Sequence, residues 1–137
     1  IPPEEGHICD ASLKAHGLDR ILLLSPTSTD ERIQLACDYG SGFIYYVSLT
    51  GITGADMGDM QAIQKKVDHI KSICGAMPVC VGFGVKTPEQ ATQVAQFCDG
   101  VVVGSHFVAH ITQADDKSDI CAALTASASS MRQAVGG

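Results

Sequence analysis

Four short apolar runs are spaced along this 137-residue chain: Ile21-Leu22-Leu23-Leu24, Phe43-Ile44-Tyr45-Tyr46-Val47, Val79-Cys80-Val81 and Val101-Val102-Val103. An unbroken apolar run of this length, without polar alternation, is the pattern of a strand buried on both faces. The runs begin near residues 21, 43, 79 and 100, so each interval has room for a helix. Parallel strands need such a crossover, and the alternation therefore predicts an α/β fold with a parallel sheet. No linker or shift in composition divides the sequence, which predicts one domain over residues 1–137.

The punctuation between the runs agrees. Residues 9–16 read as a helix stopped by Gly17. Ser28 or Thr29 can cap a helix over residues 30–39, with Asp30 and Glu31 in its first turn and Gly40 and Gly42 at its end. Ile63, Val67, Ile70 and Cys74 fall at helical spacing within residues 60–74. Thr87-Pro88-Glu89-Gln90 combines a cap, a first-turn proline and a capping-box glutamine, opening a helix over residues 89–98. Residues 118–135, rich in Ala and Ser, read as a closing helix. After the second run comes Leu49-Thr50-Gly51-Ile52-Thr53-Gly54-Ala55-Asp56-Met57-Gly58, too long for a tight turn and patterned like an active-site lid.

Composition narrows the function. The net charge of −6 and a pI near 5.1, with only Lys65 and Lys66 adjacent among nine basic residues, argue against a nucleic-acid surface. The apolar runs are far too short to span a bilayer, and no cationic-then-apolar leader opens the sequence. Six cysteines (Cys9, Cys37, Cys74, Cys80, Cys98, Cys121) form no C-x-x-C pair, and they read as reduced thiols of a cytoplasmic protein. The five histidines do not cluster as metal ligands, so no metal is expected. The opening Ile1-Pro2-Pro3-Glu4-Glu5 reads like a strand end and its loop, as in a fragment.

The third and fourth runs lead into glycine turns, Gly82-Phe83-Gly84 and Gly104-Ser105. Glycine lets the backbone approach an anion, and a short helix N-terminus aims free N–H groups at it. Two such turns side by side form a phosphate cradle, which in (β/α)8 barrels follows the seventh and eighth strands. Taken alone, Gly82 and Gly84 also suit a plain sheet-to-helix turn. Four complete strands are half of eight, and a barrel of this type uses about 250 residues.

Five ordered motifs then carry a resemblance. They are Pro2-Pro3-Glu4-Glu5, Pro26-Thr27-Ser28-Thr29-Asp30-Glu31-Arg32, Gly42 to Ser48 with Thr50-Gly51-Ile52-Thr53-Gly54-Ala55, Gly82-Phe83-Gly84 with Thr87-Pro88-Glu89-Gln90, and Val101-Val102-Val103-Gly104-Ser105. In order and spacing, over essentially the whole chain, they resemble the tryptophan synthase alpha subunit, from its fourth strand to its eighth. The resemblance implies the C-terminal half, about strands 5–8, of a (β/α)8 TIM barrel of the ribulose-phosphate-binding type.

That family cleaves indole-3-glycerol phosphate to indole and glyceraldehyde 3-phosphate, and it passes indole to a beta subunit. PLP belongs to the beta subunit, so the resemblance implies no cofactor here. By resemblance, Gly54, Gly84, Gly104 and Ser105 hold the substrate phosphate through backbone N–H groups. Phe83 borders the indole, Tyr45 lines the site, and Thr53 closes over it from the lid. The retro-aldol step needs a carboxylate base and a carboxylic acid. The family takes these from its second strand and the loop after it, regions without a counterpart in this sequence. Glu4 and Glu5 match the loop after the fourth strand, so no catalytic residue is assigned, and the chain alone is expected to be inactive.

His106 stands where the family has a small residue, which suits either a surface histidine or a cation beside the phosphate. A half-barrel also leaves apolar parallel edges open, which natural sheets avoid. Two-fold self-association into eight strands, a missing N-terminal half, or flattening into a doubly wound layer would each relieve this, and self-association is favoured over flattening. Two other functions compete with the lyase: a non-catalytic phosphate-binding half-barrel, and another phosphate-binding barrel such as a histidine-pathway or indoleglycerol phosphate synthase enzyme. The Thr50 to Ala55 sequence argues against the second.

Overall fold

A computed structural model describes residues 7–48, 57–82, 84–113 and 117–136. Its elements run α1 (His7–Ala15), β1 (Leu22–Leu24), α2 (Asp30–Tyr39), β2 (Ile44–Val47), α3 (Met57–Cys74), β3 (Val79–Gly82), α4 (Pro88–Ala95), β4 (Gly100–Val102), α5 (Ser105–Gln113) and α6 (Lys117–Ala134). The strands form one parallel sheet in sequence order, β1-β2-β3-β4. The expected alternation holds from α1 to β4, but two helices, α5 and α6, follow β4 where one closing helix is expected, and the expected strand end at residues 1–5 lies outside the described residues.

Local chemistry sets the helix ends. Thr29, rather than Ser28, caps α2 by accepting from Arg32 N–H, while Ser28 Oγ accepts from Ser25 N–H at 2.9 Å. Thr87 and Gln90 form the full capping box of α4, with Pro88 in its first turn. Two helix boundaries differ from expectation by three residues. Helix α3 starts at Met57, and α4 stops at Ala95 instead of reaching Cys98. The Gln96 N–H turns back to Gln93 and Val94, and the Cys98 thiol lies within donating distance of both the Val94 and the Gly100 carbonyls, so the chain tightens early into β4.

Register divides the side chains between two unlike faces. Leu22, Ile44 and Val79 lie abreast, as do Leu24, Tyr46 and Val81. All six are buried against the helices, which contribute Ile33 and Ala36 of α2, Ile63, Val67 and Ile70 of α3, and Ala91 and Val94 of α4. On the opposite face Leu23, Tyr45, Cys80 and Gly100 stand abreast, followed by Val47, Gly82 and Val102. No helix covers this row from within the described residues, and Leu23 at its edge is 57% exposed. A parallel sheet ordinarily has both faces covered.

The N-terminal ends of the strands are stitched by polar groups. Arg20 pairs with Asp10 of α1 at 2.8 Å, donates Nε–H to the Tyr39 carbonyl, and lies over the Tyr39 ring. Asp99 does the same between β3 and β4. Its carboxylate accepts from Val79 N–H at 2.8 Å and pairs with Lys71, while its own N–H donates to the Val79 carbonyl. Burial acts to raise the Asp99 pKa, but the Val79 N–H and Lys71 outweigh it and hold the carboxyl below its usual value.

The expectation of six reduced cysteines is corrected. Cys37 of α2 and Cys74 of α3 form a disulfide, with Cα atoms 5.2 Å apart; Cys9, Cys80, Cys98 and Cys121 are free. Both helices return from the C-terminal to the N-terminal end of the sheet, so their last turns meet although the residues are 37 apart in sequence.

The unlike faces make a direct prediction. Ile44→Ala, at a site with no exposure, is expected to cost about 2–5 kcal/mol in urea unfolding. Leu23→Ala in the isolated chain is expected to change stability by less than about 0.5 kcal/mol. Equal costs would contradict this assignment of faces.

Candidate functional site

The C-terminal ends of the strands gather the sequence-predicted groups that fall within the described residues. Tyr45 of β2 is half-buried on the open face, whereas Tyr46 is buried beneath the helices. Alternation along the strand made one of the two face inward, and the register identifies it as Tyr45. Its ring lies across Gly82 of β3: a Cβ on Gly82 would stand 2.8 Å from Tyr45 Cζ. Gly82 is thus a shelf for the ring, a role that only the cross-strand register reveals. Desolvation pushes the pKa of Tyr46 up, in keeping with its place in the core.

Gly84 and Gly104 each lie two residues past a paired position, Gly82 and Val102, so the two turns sit on adjacent strands at the same level. Gly84 has φ of +81°, a left-handed conformation that a side chain would strain. Gly104 differs: its φ is ordinary and a Cβ would meet nothing within 4 Å. Its carbonyl accepts from Val108 N–H, which starts α5 and leaves the first-turn N–H groups without intrahelical partners. Ser105, the first residue of α5, is exposed. Thr53, Gly54 and Phe83, together with Glu4 and Glu5, lie outside the described residues.

A cavity of about 530 Å³ opens at this same end of the sheet, beside β1 and β2, lined by Leu23, Leu24, Ser25, Thr27, Ser28, Arg32 and Val47. The sequence alone does not mark the Ser25 to Ser28 loop as part of a site. Lys66 of α3 donates to the Ser28 carbonyl at 2.8 Å and holds this loop in position.

His106 is not a free surface group. Its Nε2 lies 2.7 Å from Ser127 Oγ of α6, and its ring stands edge-on to His110 at 4.8 Å. The bond faces α6, so the structure brings His106 to a helix–helix contact and not to the turn at Gly104. Burial first, and the neighbouring His110 second, draw its pKa below the ordinary histidine value.

The observations define a class: a parallel half-barrel whose glycine turns lie together at the C-terminal ends of adjacent strands. A family model described as tryptophan synthase alpha chain matches residues 1–136. The alpha chain of Phenylobacterium zucineum is 42% identical over 135 residues, which are 98% of this chain and 48% of that protein. That of Burkholderia thailandensis is 47% identical over 113 residues, covering 82% of this chain and 41% of that one. Among solved structures, the alpha subunit of Legionella pneumophila superposes with a TM-score of 0.83 at 38% identity, covering 98% of this chain and 49% of that chain. A chain of tryptophan synthase from Mycobacterium tuberculosis gives 0.81 at 32% identity, covering 98% and 47%. The chain belongs to the tryptophan synthase alpha chain family. It spans about half the length of the curated relatives it matches, and the four-stranded sheet of its described residues is accordingly half of their eight-stranded barrel. This membership removes the histidine-pathway and indoleglycerol phosphate synthase alternatives.

The His106 environment gives a pH prediction. Because the fold favours the neutral ring, its contribution to stability is complete above the free-histidine pKa of about 6.5. That contribution is lost as pH falls through the lowered folded value. An NMR titration should place the His106 midpoint below 6.5, and His110→Ala should move it upward. A midpoint at or above the free value would contradict the burial described here.

Proposed function

We propose that this chain supplies the substrate-holding half of an indole-3-glycerol phosphate lyase, releasing indole and glyceraldehyde 3-phosphate in tryptophan biosynthesis. The observation that carries the reading is the pair of glycine turns at one level on β3 and β4, beside Tyr45 on the open face of the sheet. Backbone N–H groups at Gly84, Gly104 and Ser105, with Gly54 from the lid, would hold the phosphate. Tyr45 and Phe83 would flank the indolyl and propyl parts, and Thr53 would close over them. The two carboxyl groups that move protons would come from the portion of the relatives' length that this chain does not span. Alone, the chain would then bind phosphate weakly and turn nothing over. The indole would pass to a beta subunit carrying PLP, and we place the assembly in the cytoplasm, where free tryptophan is made from soluble precursors.

Both edges of the sheet call for a covering partner. Ile8, Leu18 and Leu23 are exposed at the β1 end, and Val108, Ile111 and Val135 at the β4 end. Two copies of this chain could pair edge to edge, but helix positions argue for a complementary half instead. Helix α1 packs beside Arg20 and Tyr39 at the β1 edge, while α6 shares a groove with Val101, Val103 and Phe107 at the β4 edge. In a two-copy barrel, α6 of one copy and α1 of the other would compete for a single seam. A half with one helix fewer avoids that clash. Light scattering on the isolated chain is expected to find a monomer that binds a hydrophobic dye; a compact dimer with no dye binding would restore the self-association reading.

The functional test is complementation. The chain alone should release no indole from indole-3-glycerol phosphate, and mixing it with a separately expressed N-terminal half of a relative should produce turnover. In the complemented enzyme Gly104→Asp should raise KM at least about tenfold with little loss of stability. Gly104 has room and ordinary φ for the side chain, but its charge would oppose the phosphate. An unchanged KM would overturn the proposed phosphate site. No turnover under any mixture, with phosphate binding retained, would favour the non-catalytic half-barrel.

A further inference from the structure

The feature that neither the fold nor the proposed chemistry uses is the contact between the last turns of α2 and α3. Cys37 and Cys74 have Cα atoms 5.2 Å apart, inside the narrow range that a disulfide can bridge without backbone movement. The remaining four cysteines are free. Cys9 and Cys121 lie on α1 and α6, and burial pushes the thiols of Cys80 and Cys98 up, which makes them poor nucleophiles. The open state is also accommodated. As a thiol, Cys37 has the Ile33 carbonyl 3.0 Å away to donate to, so reduction leaves that thiol with a partner. Both residues are half-buried, packed against the core on the helix side of the sheet, at the end away from the glycine turns.

We propose that Cys37 and Cys74 form a reversible redox staple between α2 and α3. The thiolate of one attacks an external small-molecule disulfide, forming a mixed disulfide and releasing one thiol. The second cysteine then attacks the sulfur of the first and expels the other thiol. Two electrons and two protons pass to the external disulfide, and a dithiol reductant reverses the exchange. The staple closes a loop between residues 37 apart that contains β2, residues 49–56 and nearly all of α3. Such closure restricts the unfolded chain, and it pins together the two helices that back Ile44 and Tyr46. The consequence is that oxidation strengthens the layer behind Tyr45 without touching the open face. The inference is independent of the proposed function.

The test uses the chain treated either with oxidised glutathione or with dithiothreitol, then denatured, alkylated and weighed. Four alkylated cysteines and a linked peptide pair containing Cys37 and Cys74 are expected after oxidation, and six alkylated cysteines after reduction. The oxidised form should unfold about 10 °C higher. Cys37→Ser should abolish that difference, and a variant with Cys9, Cys80, Cys98 and Cys121 all changed to Ser should keep it. The second variant decides the matter even where Cys37→Ser fails to fold. Six alkylated cysteines after oxidation, a link through any other cysteine, or a redox-dependent Tm that survives Cys37→Ser would each overturn the proposal.

Discussion

Everything else in this fold depends on the packing of one face of the sheet against α2, α3 and α4. Leu22, Leu24, Ile44, Val79 and Val81, with the Tyr46 ring among them, project from three adjacent strands into a single apolar layer. Burying an aliphatic side chain of this size contributes about 1.5–3 kcal/mol. The intervening residues of the same strands lie on the other face and gain much less. Leu23, Tyr45 and Val47 are apolar because the sequence is written for a sheet covered on both sides. Stability and proposed chemistry therefore sit on opposite sides of one thin layer.

The two ends of the strands divide in a similar way. At the N-terminal ends, charges and backbone groups pair: Arg20 with Asp10 and the Tyr39 carbonyl, Asp99 with Lys71 and Val79, although Arg20 Nη2 is buried without a hydrogen-bond partner among the described residues. The Cys37–Cys74 link lies at this end too. At the C-terminal ends, α5 begins with N–H groups that have no partner within the helix, Gly84 holds a left-handed turn, and the Ser25 loop borders a cavity. Groups left unpaired at one end, and paired at the other, are what separates a binding edge from a structural one.

Legibility in the sequence followed the range of the interaction. The capping box at Thr87 and Gln90 acts over three residues and is readable, and the cap of α2 is narrowed by sequence to Ser28 or Thr29, of which the structure uses Thr29. The strands were readable because apolar runs bounded by turn residues have few other uses. Tyr45 and Tyr46 were ambiguous in isolation, since period-two alternation says that they differ but not which one faces the helices. Contacts between distant residues were not readable. Cys37 finds Cys74 across 37 positions, and His106 finds Ser127 on another helix. Nothing local marks either pair. The early end of α4 escaped for the same reason, because the Cys98 thiol reaches both Val94 and the first residue of β4.

The open face also bears on how strongly the proposed cradle can act. An amide N–H that faces water exchanges one hydrogen bond for another when an anion arrives, so the net gain is about 0.5–1.5 kcal/mol for each bond. The same N–H in a closed, low-dielectric site interacts several times more strongly with a charge. Gly104 and Ser105 are exposed here, and water competes for both. A covering half would strengthen their hold on a phosphate simply by excluding that water, even where none of its own atoms touches the phosphate. Anion affinity in this family would then be a property of barrel closure as much as of the glycine turns, with the turns setting where the phosphate goes and closure setting how tightly it is held.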